Sequence, residues 1–262
     1  SGFFGSGKSH FLKILSYLLS NQEVCGKRAI DYFADKFDDP MMYAQAVKSV
    51  SVPTQSILFN IDIEGPLTKD KTAVLRVFAK MFYNHCGFYG DDLKIAKLER
   101  FIEKQGKTQQ FREAFEKVNG APWTETRDSF AFFEDDIVSV LQSTLGMSEQ
   151  AARNWFNGEE TNELSIAQLV ADIQEYVDGK GKDFRLLFMV DEVGQYIGDD
   201  GDLMINLQSF VEEIGIRCHG KVWVMVTSQE AIDSVVHITG NDFSKIQGRF
   251  NTRLSLSSSS VD

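Results

Sequence analysis

The chain has 262 residues, 43% of them hydrophobic and 25% charged, with a formal net charge of −11. This is ordinary globular composition, enough for one large domain or one domain carrying a sub-domain. The acidic balance disfavours broad binding to a nucleic-acid backbone by this segment, and no apolar run approaches the ~20 residues that span a bilayer.

Read from the start, residues 8 to 20 predict a helix, with Phe11, Leu12, Ile14, Leu15, Leu18 and Leu19 on one face. Two more helices are expected over 27–36 and 40–49, Pro40 sitting where a helix start tolerates proline. Ser56 to Ile63 is β-rich and reads as a strand, and a helix follows from about Thr72 to His85. From about Asp91 to Asp178 the periodicity is helical, with candidate helices at Ile95–Lys104, Gln109–Val118, Ser129–Leu145, Ser148–Phe156 and Ile166–Val177. Phe130, Phe132 and Phe133 read as core. Leu186 to Val190 is a continuous apolar run, the mark of a strand buried on both faces. An amphipathic helix over Leu203–Ile214, a second buried strand over Lys221–Val226 and the start of another at Arg253 complete the pattern. Alternating apolar strands and helices imply an α/β fold with a parallel sheet. The expected division is a core of residues 1–90 and 179–262, with an all-helical insertion over 91–178.

Cys25, Cys86 and Cys218 are odd in number and widely spaced, which fits free thiols in a reducing cytoplasm. His85-Cys86 and Cys218-His219 lack the spacing of a zinc site and read as core or surface residues.

Four motifs carry chemistry. Gly2-Phe3-Phe4-Gly5-Ser6-Gly7-Lys8-Ser9 matches the phosphate-binding loop pattern G-x-x-x-x-G-K-[ST] in full. Its glycines let successive N–H groups turn inward, Lys8 can reach the β- and γ-phosphates, Ser9 can ligate Mg²⁺, and the helix start adds its positive dipole end. The segment Gly2 to His10 is therefore the expected ATP contact. Such a loop follows a buried strand, and here it begins at Gly2. The chain is thus expected to be a piece of a longer protein.

The apolar run ending in Asp191-Glu192 is the second motif. Asp191 would hold the Mg²⁺, and Glu192 would orient an attacking water beside the γ-phosphate. The pair argues hydrolysis over passive binding. Third, Thr227 and Ser228 at the end of the following strand are candidates to sense the γ-phosphate, with a helix N-cap as the equal alternative for Ser228. Fourth, Arg249, and after it Arg253, could act as an arginine finger in a neighbouring subunit's site, a surface salt bridge being the alternative. Asn60, Asp62 and Glu64 alternate with Phe59, Ile61 and Ile63, so a polar side chain there could restrain Glu192; a polar strand face or strand-end turn explains the pattern equally.

These motifs and the helical insert together resemble the AAA+/STAND-like P-loop NTPases. More narrowly, Gly2–Leu19, Tyr32–Asp39, Phe59–Gly65, Phe188–Tyr196 and Gln247–Ser257 resemble the BREX phage-defence P-loop ATPases, the BrxC/PglY family. The resemblance covers most of the chain. It implies a cytoplasmic Mg²⁺-dependent ATPase that works with other BREX proteins, a methyltransferase and a phosphatase-like protein among them. Homo-oligomers fit the finger reading, and contact with DNA would be indirect or through other regions. By that family's sheet order, the first strand and the lid are absent from this piece, and a gap should separate the Thr227 strand from the Arg253 strand. Two rivals stand beside it: a STAND-type nucleotide-dependent scaffold with little turnover, and a small-molecule phosphotransferase.

Overall fold

The computed structural model describes residues 7–66, 68–157 and 164–228, with Thr252 and Leu254. In chain order the elements are α1 (Lys8–Ser20), the short strands β1 (Glu23–Val24) and β2 (Lys27–Arg28), a 3-10 helix (Ala29–Lys36), α2 (Pro40–Val50), β3 (Thr54–Asn60) and α3 (Ile61–Glu64). Then come α4 (Ala73–His85), α5 (Leu93–Lys104), α6 (Thr108–Asn119), α7 (Trp123–Thr126), a second 3-10 helix (Arg127–Phe132), α8 (Glu134–Leu145) and α9 (Glu149–Asn157). The described chain ends with α10 (Ile166–Gly179), β4 (Arg185–Asp191), α11 (Val193–Ile197), α12 (Gly201–Arg217) and β5 (Val222–Val226). The fold is α/β, and none of the described helices is long and apolar enough to cross a membrane.

The chain divides into two compact units, one drawn from 1–77 and 165–262 and the other from 78–164. In the first, β3, β4 and β5 form a parallel sheet with β4 in the centre. From Leu186 to Asp191 every residue of β4 is buried, as a strand covered on both faces requires. Alternation sorts its side chains. Leu187 and Met189 meet Leu12 of α1 on one face, while the Phe188 ring lies edge-on to Phe210 of α12 at 6.3 Å. A 2.6 Å hydrogen bond between the Ser16 and Ser56 hydroxyls further ties α1 to β3.

Among its described residues, the regular elements of the second unit are all helices. Its core gathers Ile95, Leu98, Phe111, Phe115, Trp123 and Ile137, among others. The Trp123 ring stands edge-on to Phe111 at 5.3 Å and to Phe115 at 5.0 Å. Buried among them is Glu99, whose carboxylate accepts from the Tyr89 backbone N–H (2.6 Å), Trp123 Nε1 (2.7 Å) and Arg127 Nη1 (2.9 Å). Three donors offset the cost of burying that charge.

Several boundaries differ from the sequence expectation. The strand expected to run to Ile63 ends at Asn60, because its side chain accepts from the Asp62 and Ile63 N–H groups at 2.9 and 3.2 Å and caps α3. Residues 29–36 wind as a 3-10 helix. The helix expected over Ser129–Leu145 is broken: Ser129 is non-helical (φ −106°, ψ 21°), and α8 starts only at Glu134. Phe130 and Phe133 pack on the helical core as expected, but Phe132 is 86% exposed. The units part at Val77 and Ser165, where the sequence suggested 90 and 179. Helix α10 packs on α12, and Tyr176 donates to Gln55 Oε1 at 2.7 Å, so α10 belongs with the sheet.

Candidate functional site

The site collects at the carboxyl ends of β3, β4 and β5, where parallel strands deliver side chains to one edge. Helix α1, packed on the same sheet, starts from Gly7, which holds φ +75° and ψ 15°. That left-handed turn is open to glycine at little cost. Glycine also supplies no side-chain cap, so the helix start keeps its anion-attracting character. Lys8 is buried, while Ser9 and His10 are exposed. Gly2, Phe3, Phe4, Gly5 and Ser6 lie outside the described residues, as do Arg249 and Arg253 and the expected gap beside the Arg253 strand.

Asp191 is the last residue of β4 and is 8% exposed. Glu192 follows at φ +63°, ψ 26°. A side-chain-bearing residue held in that left-handed region costs about 1–3 kcal/mol and persists only where its surroundings impose it. The surroundings are explicit. The Glu192 N–H donates to Thr227 Oγ1 at 3.1 Å and to Asp191 Oδ1 at 3.2 Å. On either side of the pair, the Thr227 N–H donates to the Val190 carbonyl at 2.9 Å, and the Val193 N–H to the Thr227 carbonyl at 3.1 Å. The Thr227 hydroxyl donates to Asp191 Oδ1. Asp191 Oδ2 accepts no hydrogen bond among the described residues, so it is an oxygen that could ligate a hard cation.

Ser228 stands next to this network, 5% exposed, its hydroxyl without a partner among the described residues. The helix it was expected to cap lies outside them. Asn60 reaches the same edge, but its side-chain oxygen is engaged in capping α3, and Asp62 and Glu64 sit on that helical turn rather than on a strand.

Sequence reasoning missed what fixes α11 behind the acid pair. Lys69 Nζ donates to the Tyr196 carbonyl at 2.7 Å and lies 3.9 Å from the centroid of its ring. Gly65 lies against that ring, where a β-carbon would come within 2.6 Å of Tyr196 Cε2. Burial pushes the Tyr196 phenol up, with Asp62 and Asp70 adding to it. Gly194 approaches Ser228 more closely still than Gly65 does Tyr196. The two glycines were the available signal, since glycine is used where the backbone must approach another group closely. No protein-family model matches the chain, and no solved structure matches it significantly.

Proposed function

We propose that this chain is the ATP-binding and hydrolysing P-loop module of a large BREX-type anti-phage protein, acting as motor or switch in a multi-protein DNA-modification and defence complex. The observation that carries the ATPase reading is the acid pair Asp191-Glu192 at the carboxyl end of the central strand of a parallel sheet. The helix packed on that sheet starts from a left-handed glycine followed by a buried lysine. The defence setting and its partners rest on the sequence resemblance alone.

Bound Mg-ATP would supply the phosphoanhydride and a cation that draws charge from it. The residues divide the remaining work. Lys8 offsets the charge on the terminal phosphates, and Ser9 and Asp191 supply oxygen ligands to the cation. Glu192 aligns a water and takes up its proton. Thr227 and Ser228 line the strand end beside the pair, and Arg249 is reserved for a neighbouring subunit.

Equilibrium binding of a fluorescent ATP analogue with and without Mg²⁺ tests the reading. Wild-type chain should bind in a Mg²⁺-dependent way, and Lys8→Ala should bind at least about tenfold more weakly. Equal affinity in the two proteins would oppose it. Transfer of the phosphate to a small acceptor in preference to water would favour a phosphotransferase.

A further inference from the structure

We infer that Thr227 is a positioning residue, whose hydroxyl fixes Asp191 and Glu192 from the neighbouring strand and does not itself read a phosphate. For its catalytic consequence the inference rests on the ATPase reading above. A threonine hydroxyl has one proton and two lone pairs. Here the proton goes to Asp191 Oδ1, and one lone pair accepts the Glu192 N–H at 3.1 Å. A phosphate oxygen accepts hydrogen bonds and donates none, so it needs a donor that this hydroxyl has already committed.

The same two bonds act where the backbone is strained. Glu192 is held at φ +63°, and its N–H is caught between Thr227 Oγ1 and Asp191 Oδ1. The backbone bonds at Val190 and Val193 hold Thr227 in register across the pair. Loss of the hydroxyl alone would leave that register intact while removing the shorter of the two hydrogen bonds of the Glu192 N–H and the hydroxyl donor to Asp191 Oδ1. The Asp191 carboxylate and the strained Glu192 backbone would then each lose a fixed point, which matters where a following side chain must align a water.

Amide hydrogen exchange by NMR on the 262-residue chain tests this without any turnover. Thr227→Val should speed exchange of the Glu192 N–H at least about tenfold, with Thr227→Ser near wild type and the amides at positions 193 and 227 still protected. Thr227→Ala serves if valine is not accommodated. Unchanged exchange at Glu192, or equal acceleration at 192, 193 and 227, would overturn the inference. In Mg-ATP turnover, Thr227→Val should lower kcat at least about tenfold with KM within about threefold, and add nothing to a Glu192→Gln background. A raised KM with kcat held, the sign of a lost phosphate contact, would also overturn it. A wild-type chain that never turns over ATP would remove the ATPase reading, while the exchange result would still decide the clamp.

Discussion

Gly194 lies so close to Ser228 that a β-carbon on the glycine would stand 2.0 Å from the Ser228 hydroxyl oxygen and 2.9 Å from its Cβ. The glycine is demanded by space. It lets α11 turn in directly behind the acid pair, against the strand end that carries Thr227. Gly194→Ala should therefore cost about 1–3 kcal/mol through overpacking, read as a lower thermal midpoint. Adding Ser228→Gly removes both atoms in the way and should restore most of the loss. A double variant as unstable as Gly194→Ala would show that the strain lies elsewhere.

In the helical unit, Glu99 is a buried charge in a mainly apolar core. Glu99→Ala leaves the Trp123 N–H, the Arg127 guanidinium and the Tyr89 N–H without their acceptor. Breaking one partner of a buried pair costs about 3–5 kcal/mol, so denaturant unfolding should show a large drop in midpoint. A loss below about 1 kcal/mol would mean that water replaces the carboxylate freely.

Cys218 follows α12 and is buried, which pushes its thiol up to about 11, with Asp178 adding to the shift. The raised value fixes the sign of its linkage. Between about pH 9 and 11 the unfolded chain loses a proton that the folded chain keeps, so this contribution is complete below pH 9 and disappears as pH rises to 11. The stability gap between wild type and Cys218→Ala should narrow across that window. At pH 8, a thiol reagent should label the exposed Cys25 well before Cys218. Equal labelling rates in the folded protein would contradict the burial argument.

The elements with one dominant signal were legible in the sequence. The apolar run of β4 announced a central strand, and the periodicity of α1 announced a helix laid on the sheet. Asp191 and Glu192 fall at the strand end where the run stops. What escaped depends on side chains choosing among backbone partners. Ile61 and Ile63 favour a strand, but Asn60 captures the N–H groups ahead of it and turns the chain into α3. The affiliation of α10 is set by Tyr176 reaching Gln55, a contact 121 residues apart in sequence. The commitment of the Thr227 hydroxyl to the Asp191 carboxylate and the Glu192 N–H is likewise a long-range fact, invisible until β4 and β5 are paired.

We propose Asp191 and Glu192 as the hydrolytic half of an ATP site whose other half begins at Lys8. The most direct test is phosphate release from Mg-ATP by the full chain, beside Lys8→Ala and Glu192→Gln. Wild type should turn over, Lys8→Ala should lose binding and turnover together, and Glu192→Gln should bind ATP normally with kcat down at least about a hundredfold. A Glu192→Gln variant that hydrolyses ATP at the wild-type rate, or a wild-type chain that binds ATP and never releases phosphate, would contradict it.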